Sequence, residues 1–447
     1  MSKLGLTSVT LLGVNSIIGS GVFLLPTPLY KVAGDWSVII VIITALVAST
    51  IALCFAEAAS YFSKNGAAYV YAKEAFGPFV GFEVGFLKWI MQCIAWAVMV
   101  VALTNILSST FSFEYNDFLK NIIEVAIIIL LTVMNLLGVS FAKAINNIST
   151  FCKVIPLVIF IVGGLAFVHI HNVSPTLHEH VLSHNGTNEE GMSWSNLASA
   201  IVLCFYAFTG FETFATAAED MDNPRRNLPR AIVATLIIVP IFYALVIFVA
   251  VGILGPRISS SSMPIADAAR VFMGGYGYLL VTIGSIISIL GINIAASFHI
   301  PRALLPLSDD NMIPAWFAWK TNRKSIPWVA ILASGIVTIP IALSGSFATL
   351  AILSVVTRFI QYIPTCLAIF VFRRRFANDN VGGFKVPFGP LIPVLGVAVC
   401  IWMMSVQSPM KLIVGLLVIL AISPLYVMSR KHGKSTKNAH SIEGITK

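Results

Sequence analysis

Charge is what this sequence has least of. Asp, Glu, Lys and Arg together supply 11% of 447 residues, against 57% hydrophobic side chains. Water-soluble domains carry roughly 25% charged residues, so a soluble globular fold is excluded and the chain reads as an all-α membrane protein. Catalytic signatures are missing as well: there is no HExxH and no GxSxG, and His299 is the only histidine inside an apolar run. A hydrolase within the membrane needs a nucleophile beside a base, or metal ligands on facing helices, so neither an enzyme nor a bound metal or cofactor is expected. The cysteines Cys54, Cys93, Cys152, Cys204, Cys366 and Cys400 show no CxxC spacing and all fall in apolar runs, where they serve as small packing residues. A small-residue cleavage site is also lacking behind the first apolar run, which argues against a removable signal peptide.

What is present is a succession of apolar runs, each of the ~20 residues that cross a bilayer. Spans are expected at Ser8–Tyr30, Ser37–Phe62, Phe82–Ser108, Ile122–Val139, Ile148–Val168, Trp194–Ala218, Ala231–Leu254, Tyr278–Leu305, Pro327–Leu343, Phe347–Phe372, Leu391–Val406 and Leu412–Met428. That makes twelve transmembrane helices in one domain over residues 1–430, with a cytoplasmic tail at 431–447.

The net charge of +9 is spread over alternate loops rather than gathered into a nucleic-acid-binding face. Lys64, Lys73, Lys143, Arg225, Arg226, Arg230, Arg323, Lys324, Arg373 to Arg375, Arg430 and Lys431 fall on one side of an even-helix topology. The positive-inside rule makes that side the cytoplasm and places both termini there, in a cell membrane. Basic residues of the tail, Lys434 and Lys437 among them, are placed to touch anionic lipid headgroups. The longest outer connection holds His169, His171, His178, His180 and His184. Without fixed ligand spacing it reads as a solvated loop rather than a metal site or acid sensor. Asn185-Gly186-Thr187 matches a glycosylation acceptor.

Two spans carry glycines where a helix should be continuous. Gly19-Ser20-Gly21 interrupts the first, and Tyr206-Ala207-Phe208-Thr209-Gly210-Phe211-Glu212 places a glycine and an acid in the sixth. Each interior glycine costs a helix about 1 kcal/mol, and lipid offers no water to a freed peptide group. Close helix packing through small residues is one explanation. The other is a ligand: unwound at Gly19–Gly21, the first span would offer amides to a carboxylate, and the sixth would offer carbonyls to an ammonium. Facing each other, the two receptors describe an amino acid.

The motifs carry a resemblance. Ile18-Gly19-Ser20-Gly21-Val22-Phe23-Leu24-Leu25-Pro26 and Phe208-Thr209-Gly210-Phe211-Glu212 are similar to the first- and sixth-helix motifs of the amino acid/polyamine/organocation permeases. So are Ala56-Glu57, Asn65-Gly66-Ala67-Ala68-Tyr69-Val70-Tyr71, Ala75-Phe76-Gly77-Pro78, Asn223-Pro224-Arg225-Arg226-Asn227-Leu228-Pro229-Arg230-Ala231 and Ser308-Asp309-Asp310-Asn311-Met312-Ile313-Pro314, in the same order along the chain. The resemblance implies a LeuT-like fold of two inverted five-helix repeats, at about 8–168 and 194–372, with helices one and six broken. Two peripheral helices at about 391–428 would complete it. It implies further that the substrate carboxylate meets the amides of Ser20 and Gly21, that its amine meets carbonyls of Ile17, Tyr206 and Thr209 beside Gly210, and that Phe208 is an aromatic gate. Sodium-coupled relatives of this fold hold a cation between helices one, five and eight, where many permeases of this family place a lysine. The resemblance therefore implies that Lys153 substitutes for sodium, giving proton coupling or sodium-free exchange. A lysine snorkelling to the cytoplasmic interface is the alternative.

Arg358 lies too deep in the tenth span to snorkel and needs an acidic partner or several carbonyls. Glu57 and Glu212 are the candidates, and if helix ten mirrors helix five, Arg358 and Lys153 brace one broken helix each. Glu212 itself suits an inner gate or a proton site, with a cationic substrate side chain or a neighbouring backbone amide as its alternative partners. Further pocket positions are Gln92, Trp96, Asn293 and Ala296, none of them acidic, which favours neutral substrates. The expected function is secondary transport of amino acids, neutral or broad in range, by proton symport or exchange. Antiport of cationic amino acids or polyamines is the rival, and an amino acid sensor or channel on the same fold is the alternative from another class.

Overall fold

The computed structural model describes residues 5–62, 67–113, 116–138, 142–174, 194–213, 221–321, 326–377, 384–407 and 422–426. Helices dominate: α1 (Leu6–Ile17), α2 (Gly21–Leu24), α3 (Pro26–Ala33), α4 (Ser37–Tyr61), α5 (Ala68–Phe76), α6 (Pro78–Thr110), α7 (Asp117–Leu136) and α8 (Ala142–Gly164) make up the first half. The second half holds α9 (Trp194–Phe208), α10 (Pro224–Leu254), α11 (Pro264–Arg302), α12 (Leu305–Asp309), α13 (Trp328–Ala342), α14 (Phe347–Arg375) and α15 (Leu391–Ser405). Local chemistry fixes several of their ends. The Asn116 side chain accepts from Leu119 N at 3.0 Å to cap α7, Ser346 accepts from Thr349 N at 3.4 Å to cap α14, and prolines open α6, α10 and α11, where a missing N–H costs nothing.

Seven helical stretches among the described residues are long and apolar enough to cross a membrane, and four shorter apolar helices accompany them. The twelfth expected span, Leu412–Met428, lies outside the described residues apart from 422–426. Two of the expected spans are not single helices. The first is divided into α1, α2 and α3, and the sixth stops at Phe208, resuming only as a 3-10 turn over 211–213. The expected eighth span, Tyr278–Leu305, corresponds to the piece of α11 that follows Gly274, whose φ 62°, ψ −150° turns the chain away from an additional helical piece that begins at Pro264. Lys64, Lys143 as a side chain, Arg323, Lys324, the glycosylation motif and His178, His180 and His184 lie outside the described residues, as does the tail.

Polarity is inverted relative to a soluble protein. Large apolar side chains such as Leu46, Phe118, Leu130, Val162 and Ile237 point outward, while Lys153, Glu57, Glu212 and Arg358 are buried. Hydrocarbon solvates the first group and protein must satisfy the second. Packing between helices relies on small residues: a Cβ added to Gly284 of α11 would sit 2.7 Å from the Cys152 carbonyl oxygen of α8. Such backbone approach is available only to glycine. α11 packs along α8 and α6, α10 along α4 and α1, and α14 against α6, α4 and α9, so the broken segments lie among the long helices.

Candidate substrate-binding site

The first break follows from Gly19. α1 ends at Ile17, Ile18 takes an extended backbone at φ −73°, ψ 93°, and helical geometry resumes at Gly21 and continues through Leu25 into α3. Carbonyls that a continuous helix would have used are left free. The Lys153 ammonium, fully buried in α8, donates to two of them, Asn15 O at 2.9 Å and Ile18 O at 2.7 Å. A snorkelling lysine is thereby excluded. Tyr243 Oη donates to a third, Ile17 O, at 3.3 Å; that oxygen was assigned to the substrate amine from the sequence, and its second lone pair remains.

The second break is set by Gly210, whose φ of +121° is a conformation that L side chains rarely adopt. A Cβ there would lie 2.7 Å from Ser16 O and 3.3 Å from the Ile17 Cα, so the two broken segments touch backbone to backbone. Ser20 Oγ and Tyr206 Oη, 3.0 Å apart, join them a second time. The Tyr206 carbonyl is engaged inside its own segment, accepting from Thr209 N at 3.2 Å and Thr209 Oγ1 at 2.8 Å, and Thr209 lines the cavity.

Arg358 of α14 forms a buried ion pair with Glu212. The carboxylate also accepts from Gly210 N at 3.0 Å and from Tyr362 Oη at 3.3 Å, so the acid that follows the break holds the break open. Of the two partners expected for Arg358, Glu57 is the wrong one. It is gripped by both nitrogens of Arg373 at 2.6 Å each and by Val386 N at 2.7 Å, far along α4 from the breaks. Because α4 carries Glu57 beside the end of α14 rather than its middle, Arg373 and not Arg358 comes within reach.

Between the breaks lies a cavity of about 290 Å³. Ile17, Gly21, Tyr206, Thr209, Gly210, Glu212 and Arg358 line it, together with Gln92, Trp96 and Ala296. Other expected positions do not. Ser20 is turned to Tyr206, Lys153 stands behind the first break, and the Phe208 ring packs on Tyr243 at 5.6 Å between centroids rather than over the cavity. Asn293 donates to Met99 O at 3.0 Å and Ile289 O at 2.9 Å, tying α11 to α6. Asn15, Ser16, Met99 and His299 line the cavity without having been named as substrate contacts, and Ser16 and His299 are exposed within it. A polar pair, Asn15-Ser16, directly ahead of the glycines in an apolar helix was the available signal for the first two.

Removing the Lys153 amine should undo the first break. Lys153→Met removes the donor that Asn15 O and Ile18 O share in the protein interior, a loss of roughly 1–3 kcal/mol for a buried carbonyl deprived of its hydrogen bond. Expected is a correctly inserted protein with substrate uptake near background; uptake within twofold of wild type would show that the ammonium is dispensable.

A multi-pass helical membrane protein with two facing main-chain breaks around a small, mostly apolar cavity is the architecture of a carrier for small solutes. The amino acid permease family model matches residues 4–440, and the chain belongs to that family. Among its relatives, an uncharacterized transporter of Mycobacterium tuberculosis is 34% identical over 416 residues, covering 89% of this chain and 86% of the relative. The serine/threonine exchanger SteT of Bacillus subtilis is 25% identical over 97% of this chain and 98% of its own. The branched-chain amino acid permease BcaP of the same organism is 26% identical over 97% and 94%.

Proposed function

We propose that this protein is a sodium-independent secondary transporter of neutral amino acids in the cytoplasmic membrane, with both termini in the cytoplasm. The observation that carries this reading is the Lys153 ammonium seated on the carbonyls of the first break. A fixed cation at that place provides the positive charge that a bound sodium ion would otherwise bring, and leaves proton symport or exchange as the means of coupling. The substrate carboxylate meets the amide of Gly21, where the second helical piece begins, and the amine meets the carbonyls of Ile17 and Thr209.

Charge supports a neutral side chain. Glu212 is the only acidic side chain among the described residues lining the cavity, and Arg358 already neutralises it. A cationic side chain would find no carboxylate there and would face Arg358. Names of relatives point the same way, since serine, threonine and branched-chain residues are all neutral. Exposure of Ser16 and His299, on the side where α1 begins and α11 ends, fits a cavity reached from the cytoplasm. Bracing is matched in the two halves: a cation of α8 holds the first break, and a cation of α14, through Glu212, holds the second. That correspondence is what an inverted repeat of 8–168 and 194–372 entails, in a bundle of twelve helices.

Reconstitution of the purified chain into liposomes tests the reading. Radiolabelled alanine should enter or exchange without sodium, and should be displaced by neutral amino acids but not by arginine, ornithine or putrescine. Uptake that requires sodium would refute the assignment of Lys153, and saturable binding without any uptake or exchange would make the protein a sensor.

A further inference from the structure

Recognition of the substrate main chain leaves two polar groups of the cavity wall unused. Gln92 and Trp96 stand four residues apart on α6 and therefore share one face of that helix. Both line the cavity, and both are more than nine-tenths buried, at 7% and 2% exposure. Neither Gln92 Oε1 nor Trp96 Nε1 has a hydrogen-bond partner among the described residues. The wall around them is apolar, formed by Met91, Ala95, Met99, Ile292 and Ala296.

A buried N–H and a buried amide oxygen are costly to leave unpaired. Water can meet both while the cavity is empty, but a substrate side chain entering this wall displaces it and must replace its bonds. Resting on the transport reading above, we propose that Gln92 and Trp96 form a side-chain subsite that selects amino acids whose side chain is uncharged and carries both a donor and an acceptor: a hydroxyl or a carboxamide. One hydroxyl accepts from the Trp96 indole and donates to the Gln92 oxygen; a carboxamide does so with its oxygen and its NH₂. An alkyl side chain answers neither group. A carboxylate brings a second acceptor to Gln92 Oε1, and an ammonium brings no acceptor to Trp96.

Threonine and valine provide the sharpest comparison, having the same branched shape and differing by a hydroxyl for a methyl. Initial uptake rates into proteoliposomes of the full-length chain should give a kcat/KM for threonine roughly 10- to 100-fold above that for valine, the discrimination expected when a polar site rejects an isostere that cannot pair with it. In Trp96→Phe and Gln92→Met, which keep most of the volume, the ratio should fall, and in the double variant it should approach unity, chiefly through a higher KM for threonine. A wild-type ratio near one overturns the subsite whether or not the variants fold. So does an equal loss for threonine and valine in both variants, which would make the two residues structural. If the wild type moves no amino acid at all, the transport reading falls first, a result distinct from movement without discrimination.

Discussion

Replacing Gly210 with alanine should reduce uptake at least tenfold while leaving the protein inserted in the membrane. Two separate obstacles meet at this residue. Its φ of +121° is strained for any L side chain, at a cost of order 1–3 kcal/mol. A methyl group also lands 2.7 Å from Ser16 O and 3.1 Å from the Ser16 carbonyl carbon, and neither belongs to a flexible side chain that could turn aside. The first broken segment must therefore move off the sixth, widening the gap across which a zwitterion would be held. Gly274 supplies the control. It too has positive φ, at 62°, but nothing lies within 4 Å of its Cβ position. Gly274→Ala should lose stability through backbone strain alone and retain uptake. If the two substitutions reduce uptake equally, contact between the broken segments is not what the function depends on.

The second large effect is expected at the Arg358–Glu212 pair. Truncating one member of a buried ion pair leaves the other charged and unpaired, at about 3–5 kcal/mol. Arg358→Met strands Glu212, whose carboxylate also holds Gly210 N and Tyr362 Oη, so the consequence reaches the second break directly. Uptake should be abolished while insertion is spared. Glu212→Gln removes the charge but keeps a side-chain oxygen for the Gly210 amide, and leaves Arg358 unpaired instead. The double variant Arg358→Met with Glu212→Gln has no stranded charge, and its unfolding midpoint in detergent should lie above that of either single variant. Additive losses would mean that the two residues act independently, contrary to their contact. Unchanged transport by Arg358→Met would remove the bracing role altogether.

Legibility of the site in the sequence followed chemistry closely. Glycines at 19, 21 and 210 offered the breaks as one of two readings, close helix packing through small residues being the other. Lys153 and Arg358 announced buried partners because an isolated charge in hydrocarbon is too costly to keep. What could not be read was geometry. Both Glu57 and Glu212 satisfied the electrostatic demand of Arg358, and nothing along the chain says which acid lies level with the middle of α14 and which with its end. Phe208 adjoins the break, yet the direction of its ring depends on Tyr243 of α10, some 35 residues away in sequence. A helical piece ahead of the eighth span, joined to it by a bend at Gly274, was not read from the sequence.

By itself the sequence determined that this chain lives in lipid, that it is built of helices, where two of them could be interrupted, and which buried charges would need partners. Periodic composition and solvation energy act locally, residue by residue, and so are written along the chain. Only the tertiary structure decided the pairings: Lys153 with Asn15 O and Ile18 O, Arg358 with Glu212, Glu57 with Arg373, and the placing on the cavity wall of Gln92 Oε1 and Trp96 Nε1, which have no partner among the described residues. Those depend on the axial level and rotation of one helix against another, which are settled by the packing of small residues such as Gly284 and Gly210 over the whole bundle.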